Sequence, residues 1–185
     1  DRNIPKNRSF LLAAAFEQAV ESLENFRFTH TQLDWLSTCC SFRSDFVDYL
    51  ARLRFRGNVD AMPEGTVFFP HEPILRITAS LPEAQLVESR LINLLQFQTL
   101  IASKAIRSVM TAPGKLLVDF GMRRAHGAEA GLLAARAAYL AGFSGTATVL
   151  AAPEFGIPVY GTMAHSFIQA HDDETEAFAH FADAN

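Results

Sequence analysis

The sequence predicts an α/β protein in two parts. A mixed helical and β region spans residues 1–113, and the first β/α units of a barrel span residues 114–185. Three observations lead there. Beyond Leu116, apolar runs of strand length (LLVDF, TATVL, IPVYG) alternate with helix-forming stretches, the rhythm of parallel β/α units. Residues 54–81 are instead rich in Pro, Gly, Val, Phe and Thr, which suits short antiparallel strands joined by turns. Before them, apolar residues recur at helical spacing.

Residues 9–26 carry Leu11, Leu12, Ala15, Phe16, Ala19, Val20 and Leu23 at helical spacing, with Asn7 or Ser9 as candidate caps. Residues 29–36 and 44–53 read as two shorter helices, and Ser44 stands where an N-cap would. All three helices are expected to supply ordinary core. NVDAM, GTVFF and ILRITAS read as strands of one small antiparallel sheet, separated by Pro63-Glu64-Gly65 and Pro70-His71-Glu72-Pro73. Pro82-Glu83 opens a long helix that runs to Met110, because a proline in the first turn sacrifices no helical hydrogen bond. Pro113-Gly114 ends it and marks the domain boundary. Strand LLVDF follows, then Gly121-Met122-Arg123-Arg124, a helix over 129–141, strand TATVL, a short helical link and strand IPVYG. Asp173 and Glu176 have capping-box spacing at the start of a last helix. About three β/α units are visible where a closed barrel takes about eight, so the chain reads as part of a longer polypeptide or as one whose exposed edge a partner covers.

Bulk composition narrows the function. The chain has 185 residues, 49 % of them hydrophobic, 19 % charged and 16 of them phenylalanine, which describes a folded domain and not a disordered one. A net charge of −4 leaves no basic footprint for nucleic acid. No apolar run is long enough to cross a bilayer, and the start, DRNIPKNR, is polar and unlike a signal peptide. The two cysteines, Cys39 and Cys40, are adjacent and give no disulfide framework, so a reducing, cytoplasmic setting is expected.

Candidate chemistry gathers at the predicted strand ends. Phe120 can stack on a flat heterocycle. The forks of Arg123 and Arg124 suit carboxylate or phosphate. His165, in the run Gly161-Thr162-Met163-Ala164-His165-Ser166, can be a nucleophile or an acid–base group, and the small residues before it let a ligand approach the backbone. His171, Asp172, Asp173 and Glu174 match no strong metal signature, and helix capping accounts for the acids better. Gly142-Phe143-Ser144-Gly145-Thr146 is a turn able to cradle phosphate, though not a Walker loop.

Taken together, these segments resemble the nicotinate phosphoribosyltransferase family. KNRSFLLAAAFEQAVESLEN is similar to its first long helix. The stretch from PEGTVFFPHEPILRITAS through LPEAQLVESRLINLLQFQTLIASKAIR is similar to its N-terminal sheet and connecting helix. DFGMRRAHG, GFSGTATVLA and FGIPVYGTMAHSF resemble the motifs of its irregular TIM-like barrel. The resemblance implies attack of nicotinate on phosphoribosyl pyrophosphate, giving nicotinate mononucleotide and pyrophosphate in NAD salvage. It implies ATP as co-substrate, with His165 transiently phosphorylated. It also implies Phe120 stacked on the pyridine ring, Arg123 on the carboxylate or the phosphates, and Arg124, Thr162 and Ser166 as weaker contacts. Mg²⁺ with ligands beyond this chain, and a homodimer with shared sites, come with the family. Ala147-Thr148 stand where the family often has Ser-Asn, which leaves nicotinamide or quinolinate open as the base. A non-catalytic assembly module and a metal-dependent hydrolase using His165, His171 and Asp172 are the readings from other classes.

Overall fold

The computed structural model describes residues 8–39 and 42–184, so the candidate cap Asn7 and Cys40 lie outside the described residues. Residues 9–26 split into two elements. Only the second half is helix, α1 (Phe16–Glu24). Leu11–Leu12 instead form strand β1, which pairs antiparallel with β3 (Val67–Phe68) in the register Leu11↔Phe68. Burial explains the correction. Residues 11 to 16 are buried without a break, and a segment enclosed on every side can exchange helical hydrogen bonds for external ones. The amide of Ala13 donates to the Thr66 carbonyl at 2.9 Å, and that of Leu12 donates to Ser103 Oγ at 2.8 Å. Ala15 then turns the chain with φ 85°, a left-handed conformation that disfavours alanine by roughly 1–2 kcal/mol. The Glu64 carboxylate holds that turn by accepting the amides of Ala15 and Phe16 at 2.6 and 3.0 Å, so it takes the place of the Ser9 cap.

Helices α2 (His30–Cys39) and α3 (Ser44–Arg52) form where expected, but neither is ordinary core. No residue of α2 is buried, and Leu50 is the one buried residue of α3. Trp35, Phe42, Phe46 and Tyr49 remain exposed, with Phe46 in contact with both Phe42 and Tyr49. Ser44 is the first residue of α3; its N-cap is Arg43, without a side-chain cap.

The predicted three-stranded sheet is two separate ribbons. Strands β2 (Asn58–Ala61) and β4 (Leu75–Thr78) pair antiparallel, whereas β3 pairs with β1. Helix α4 (Leu81–Thr111) matches its prediction closely, with Pro82 in the first turn. Its N-terminus is closed by a capping box between Ser80 and Glu83. The Ser80 hydroxyl, at 2.6 Å, and then burial and the amides of Ser80 and Arg56 act on the Glu83 carboxyl, with the net effect of holding it below its ordinary range. Helix α4 packs against β1, α1 and α5 and carries the core through Leu91, Leu94 and Leu95.

The last part is a parallel arrangement. Strand β5 (Val118–Asp119) is followed by a 3-10 turn (Gly121–Arg124), helix α5 (Ala128–Leu140), strand β6 (Gly145–Thr146) and helix α6 (Ala151–Phe155). β5 and β6 pair in parallel, and a parallel bridge from Thr146 to Val159 adds a third line. TATVL and IPVYG are thus much shorter as strands than their composition suggests. Residues 148–150 turn away into α6, and 161–164 are irregular. Helices α7 (His165–Gln169) and α8 (Glu174–Asp183) complete the chain, and α7 was not foreseen. The Asp173 carboxylate caps α8 by accepting the amides of Thr175 and Glu176, at 2.8 and 3.1 Å.

Candidate active site

Thr146 is the joint from which the candidate site is built. It is wholly buried, and its backbone accepts from Tyr160 N–H at 2.9 Å and donates to the Pro158 carbonyl at 3.1 Å. Its hydroxyl donates to Asp119 Oδ2 at 2.9 Å and accepts the Thr148 amide at 3.0 Å. Asp119 Oδ1 accepts the Gly121 amide at 3.0 Å, which starts the 3-10 turn. One side-chain pair, a buried Thr146 and a half-buried Asp119, therefore ties together the turn that carries Arg123 and the segment that leads to His165. Gly145 makes this possible. A Cβ there would lie 2.3 Å from the Pro158 carbonyl oxygen and 2.6 Å from the Tyr160 ring, so only glycine lets the two strand ends approach so closely.

The turn is oriented from its other side by Met122. Its sulfur packs onto α5 where Gly131 leaves room; a Cβ on Gly131 would come within 2.1 Å of it. With Met122 fixed, Phe120 and Arg123 face a cleft of about 840 Å³. Tyr160, Thr162, His165 and Ser166 line the same cleft, together with Ala147 and Val159. Phe120, Arg123, Thr162, His165 and Ser166 are thus brought to one cavity. Arg124 is not: it lines a separate cavity behind the turn, because consecutive residues of a 3-10 turn diverge by about 120°. His165 is the first residue of α7, not the end of a strand. That helix is held to α8 by Phe167, which contacts His171 and the edge of Phe181. His171 Nδ1 lies 2.8 Å from the Phe167 carbonyl, and its Nε2 lies 3.1 Å from His180 Nδ1.

The cleft is open, and its functional groups are exposed; Phe120 is 54 % accessible. Its lining offers the aromatic rings of Phe120 and Tyr160, a guanidinium, an imidazole and the three hydroxyls of Tyr160, Thr162 and Ser166, and no carboxylate. That set suits a flat, anionic ligand. It does not fit Mg²⁺, which takes a shell of oxygens usually including one or two carboxylates. Sequence reasoning missed Asp119 and Tyr160, and it read Thr146 as part of a phosphate-cradling turn, not as this joint. The usable signal was the glycine of Ser144-Gly145-Thr146 inside a strand pattern, which marks a close backbone approach.

With this geometry in view, the comparisons with known proteins are decisive. The nicotinate phosphoribosyltransferase N-terminal domain matches residues 1–96, and the nicotinate phosphoribosyltransferase family domain matches residues 116–185. The chain belongs to the nicotinate phosphoribosyltransferase family. It is 49 % identical over 181 residues to nicotinate phosphoribosyltransferase pncB2 of Mycobacterium tuberculosis, covering 98 % of this chain and 39 % of that protein. It is 42 % identical over 184 residues to nicotinate phosphoribosyltransferase of Bacillus subtilis, covering 100 % of this chain and 38 % of the relative. The crystal structure of human nicotinic acid phosphoribosyltransferase superposes with a TM-score of 0.83 at 35 % identity, over 91 % of this chain and 34 % of that one. The chain therefore spans well under half the length of the relatives it matches.

Proposed function

We propose that the polypeptide carrying this chain is a nicotinate phosphoribosyltransferase in NAD salvage, and that the cleft between Phe120 and His165 is where this chain meets the substrates. One observation carries the reading: an exposed aromatic, a guanidinium and an imidazole line the same cavity in a member of this family. The pyridine nitrogen of nicotinate attacks the anomeric carbon of phosphoribosyl pyrophosphate as the bond to pyrophosphate breaks. Charge develops on the sugar in an oxocarbenium-like transition state. Most of the work is therefore to hold a flat acceptor against an anionic donor. Phe120 stacks on the ring, Arg123 pairs with the carboxylate or a phosphate, and Thr162 and Ser166 donate hydroxyl hydrogen bonds. In the ATP-coupled step a ring nitrogen of His165 attacks the γ-phosphorus of ATP, ADP leaves as the bond to the β-phosphate breaks, and water later hydrolyses the phosphohistidine to free histidine and orthophosphate. The lining of this cleft supplies no carboxylate ligand for Mg²⁺. Arg124 has no part in this cleft.

The division at residue 113, a homodimer and a cytoplasmic location belong to the same proposal. Among the described residues no helix is long and apolar enough to cross a membrane. The choice of base rests on Ala147, a small residue on the cleft wall. The test is formation of nicotinate mononucleotide from labelled nicotinate and phosphoribosyl pyrophosphate, with and without ATP. His165→Ala is expected to abolish stimulation by ATP and to leave a slower uncoupled transfer. Equal stimulation in variant and wild type removes His165 from that role, and no transfer to any pyridine base removes the reading itself.

A further inference from the structure

The turn that carries Arg123 has a second face. Behind it lies a cavity of about 420 Å³, bounded by α4, α5 and the turn, into which Arg124 projects. Lys104 of α4 and His126 of the segment after the turn share its lining. All three side chains are exposed, and neither Lys104 nor Arg124 joins an ion pair among the described residues. The floor is apolar, formed by Phe97 and Ile101 of α4 and by Phe143. A single carboxylate, Asp119, lines the wall, and both its oxygens are engaged, by the Gly121 amide and the Thr146 hydroxyl. The cationic heads of Lys104 and Arg124 outnumber it, so the lining is positive even with His126 neutral.

We propose that this cavity is a second binding site, separate from the cleft of Phe120 and His165, for a small organic monoanion. Its oxyanion pairs with Arg124 and Lys104, and its apolar body lies on Phe97, Ile101 and Phe143. A guanidinium and an ammonium lining one cavity can both bind an oxyanion, and the apolar floor distinguishes an organic acid from an inorganic one. Most ligand sites combine a few polar groups with a largely apolar wall in this way. The single opposing carboxylate favours one negative charge over two. The site's binding does not depend on turnover in the first cleft, so failure of the transferase reading leaves this inference standing, and the reverse.

The experiment is a benzoate titration followed at the imidazole proton resonance of His126, assigned through His126→Gln. That resonance reports this cavity whatever benzoate does elsewhere. The expected result is a saturable shift. Lys104→Gln combined with Arg124→Gln is expected to raise the apparent Kd at least tenfold, and both side chains are exposed enough for the fold to survive. Benzyl alcohol, the same ring without charge, is expected to bind at least tenfold more weakly, and so is inorganic phosphate, the charge without the ring. No saturable shift with benzoate, an unchanged Kd in the double variant, or equal binding of benzyl alcohol overturns the proposal. Equal binding of inorganic phosphate overturns it too, because the apolar floor then has no part in recognition.

Discussion

Arg136 and Arg123 stand on consecutive β/α elements and are used in opposite ways. Arg136, on α5, is 8 % exposed, and both of its terminal nitrogens are partnered. Its guanidinium grips Glu64 with two hydrogen bonds, at 3.0 and 2.7 Å, bonds Glu17, and approaches Gln98 Oε1 at 3.5 Å. Gln98 in turn donates to Gln18 at 3.1 Å, and the Phe155 ring lies 5.7 Å from the Arg136 guanidinium carbon. Arg123 is exposed in a cleft without a carboxylate. The difference teaches how the two charges are assigned. A charge committed to the fold has its partners inside the protein, and a charge available to a substrate has none. The Arg136 network also explains why the two halves of the chain hold together, since it joins α1, the turn at Glu64, α4 and α5.

Arg136→Ala should break this comparison most visibly. It leaves a half-buried Glu64 without its counter-ion, and since losing one partner of a fully buried pair costs about 3–5 kcal/mol, the loss should fall near or below the lower end of that range. Urea unfolding measures it directly. Glu17→Ala should cost at most about 1 kcal/mol, because that carboxylate is largely exposed. A loss from Glu17→Ala as large as from Arg136→Ala means the charges are not ranked by burial. The same network has a pH signature. Burial pushes the Glu64 carboxyl up, but the hydrogen bonds and charge of Arg136 and the amides of Ala15 and Phe16 outweigh it, leaving it below its ordinary value of 4.5. A carboxyl depressed in the folded state adds stability that is complete above its unfolded value and is lost as pH falls through its folded one. Stability should therefore decline below about pH 4.5, and the decline should be shallower in Glu64→Gln. Parallel curves for the two proteins exclude Glu64 as a source of the acid sensitivity.

Thr146→Val comes next. The change preserves shape but leaves Asp119 Oδ2 and the Thr148 amide without a partner, at a cost of about 1–3 kcal/mol. The joint between Asp119 and Thr146 ties together the two segments that line the cleft, so transfer should weaken as well. Thr146→Ser keeps the hydroxyl and should restore activity further than it restores stability. Rescue of stability alone means the joint only holds the fold.

How much of this was legible in the sequence follows from the range of the interactions involved. Helix α4 was readable almost to the residue because its signals are local: Pro82 in the first turn and Pro113-Gly114 beyond the end; the capping box of Ser80 and Glu83, equally local, went unread. Residues 9–16 were misread because Leu11, Leu12, Ala15 and Phe16 satisfy a helical spacing by coincidence. Their true conformation depends on Glu64 and Val67, about fifty residues away. The candidate residues Phe120, Arg123 and His165 were visible as polar or aromatic punctuation after apolar runs. That Arg124 would face away was invisible until the turn proved to be 3-10, a conformation set by Asp119 and by Met122 against Gly131. Arg136 gave no signal, since an arginine in an Ala-rich helix reads as a solvated one, and only the pairing with Glu64 identifies its place.

Arg123→Gln carries the smallest expected change in stability and separates the two regions most cleanly. The side chain is exposed and faces the cleft, so removing its charge should shift unfolding by no more than about 0.5 kcal/mol. Its effect belongs to binding. If Arg123 holds the acid group of the base, the KM for nicotinate should rise and that for phosphoribosyl pyrophosphate should stay. If it holds the donor's phosphates, the pattern reverses. Paired unfolding and steady-state kinetics on one preparation decide between them. A large loss of stability with both KM values unchanged would place Arg123 beside Arg136 as a structural charge, and the contrast between the two regions would disappear.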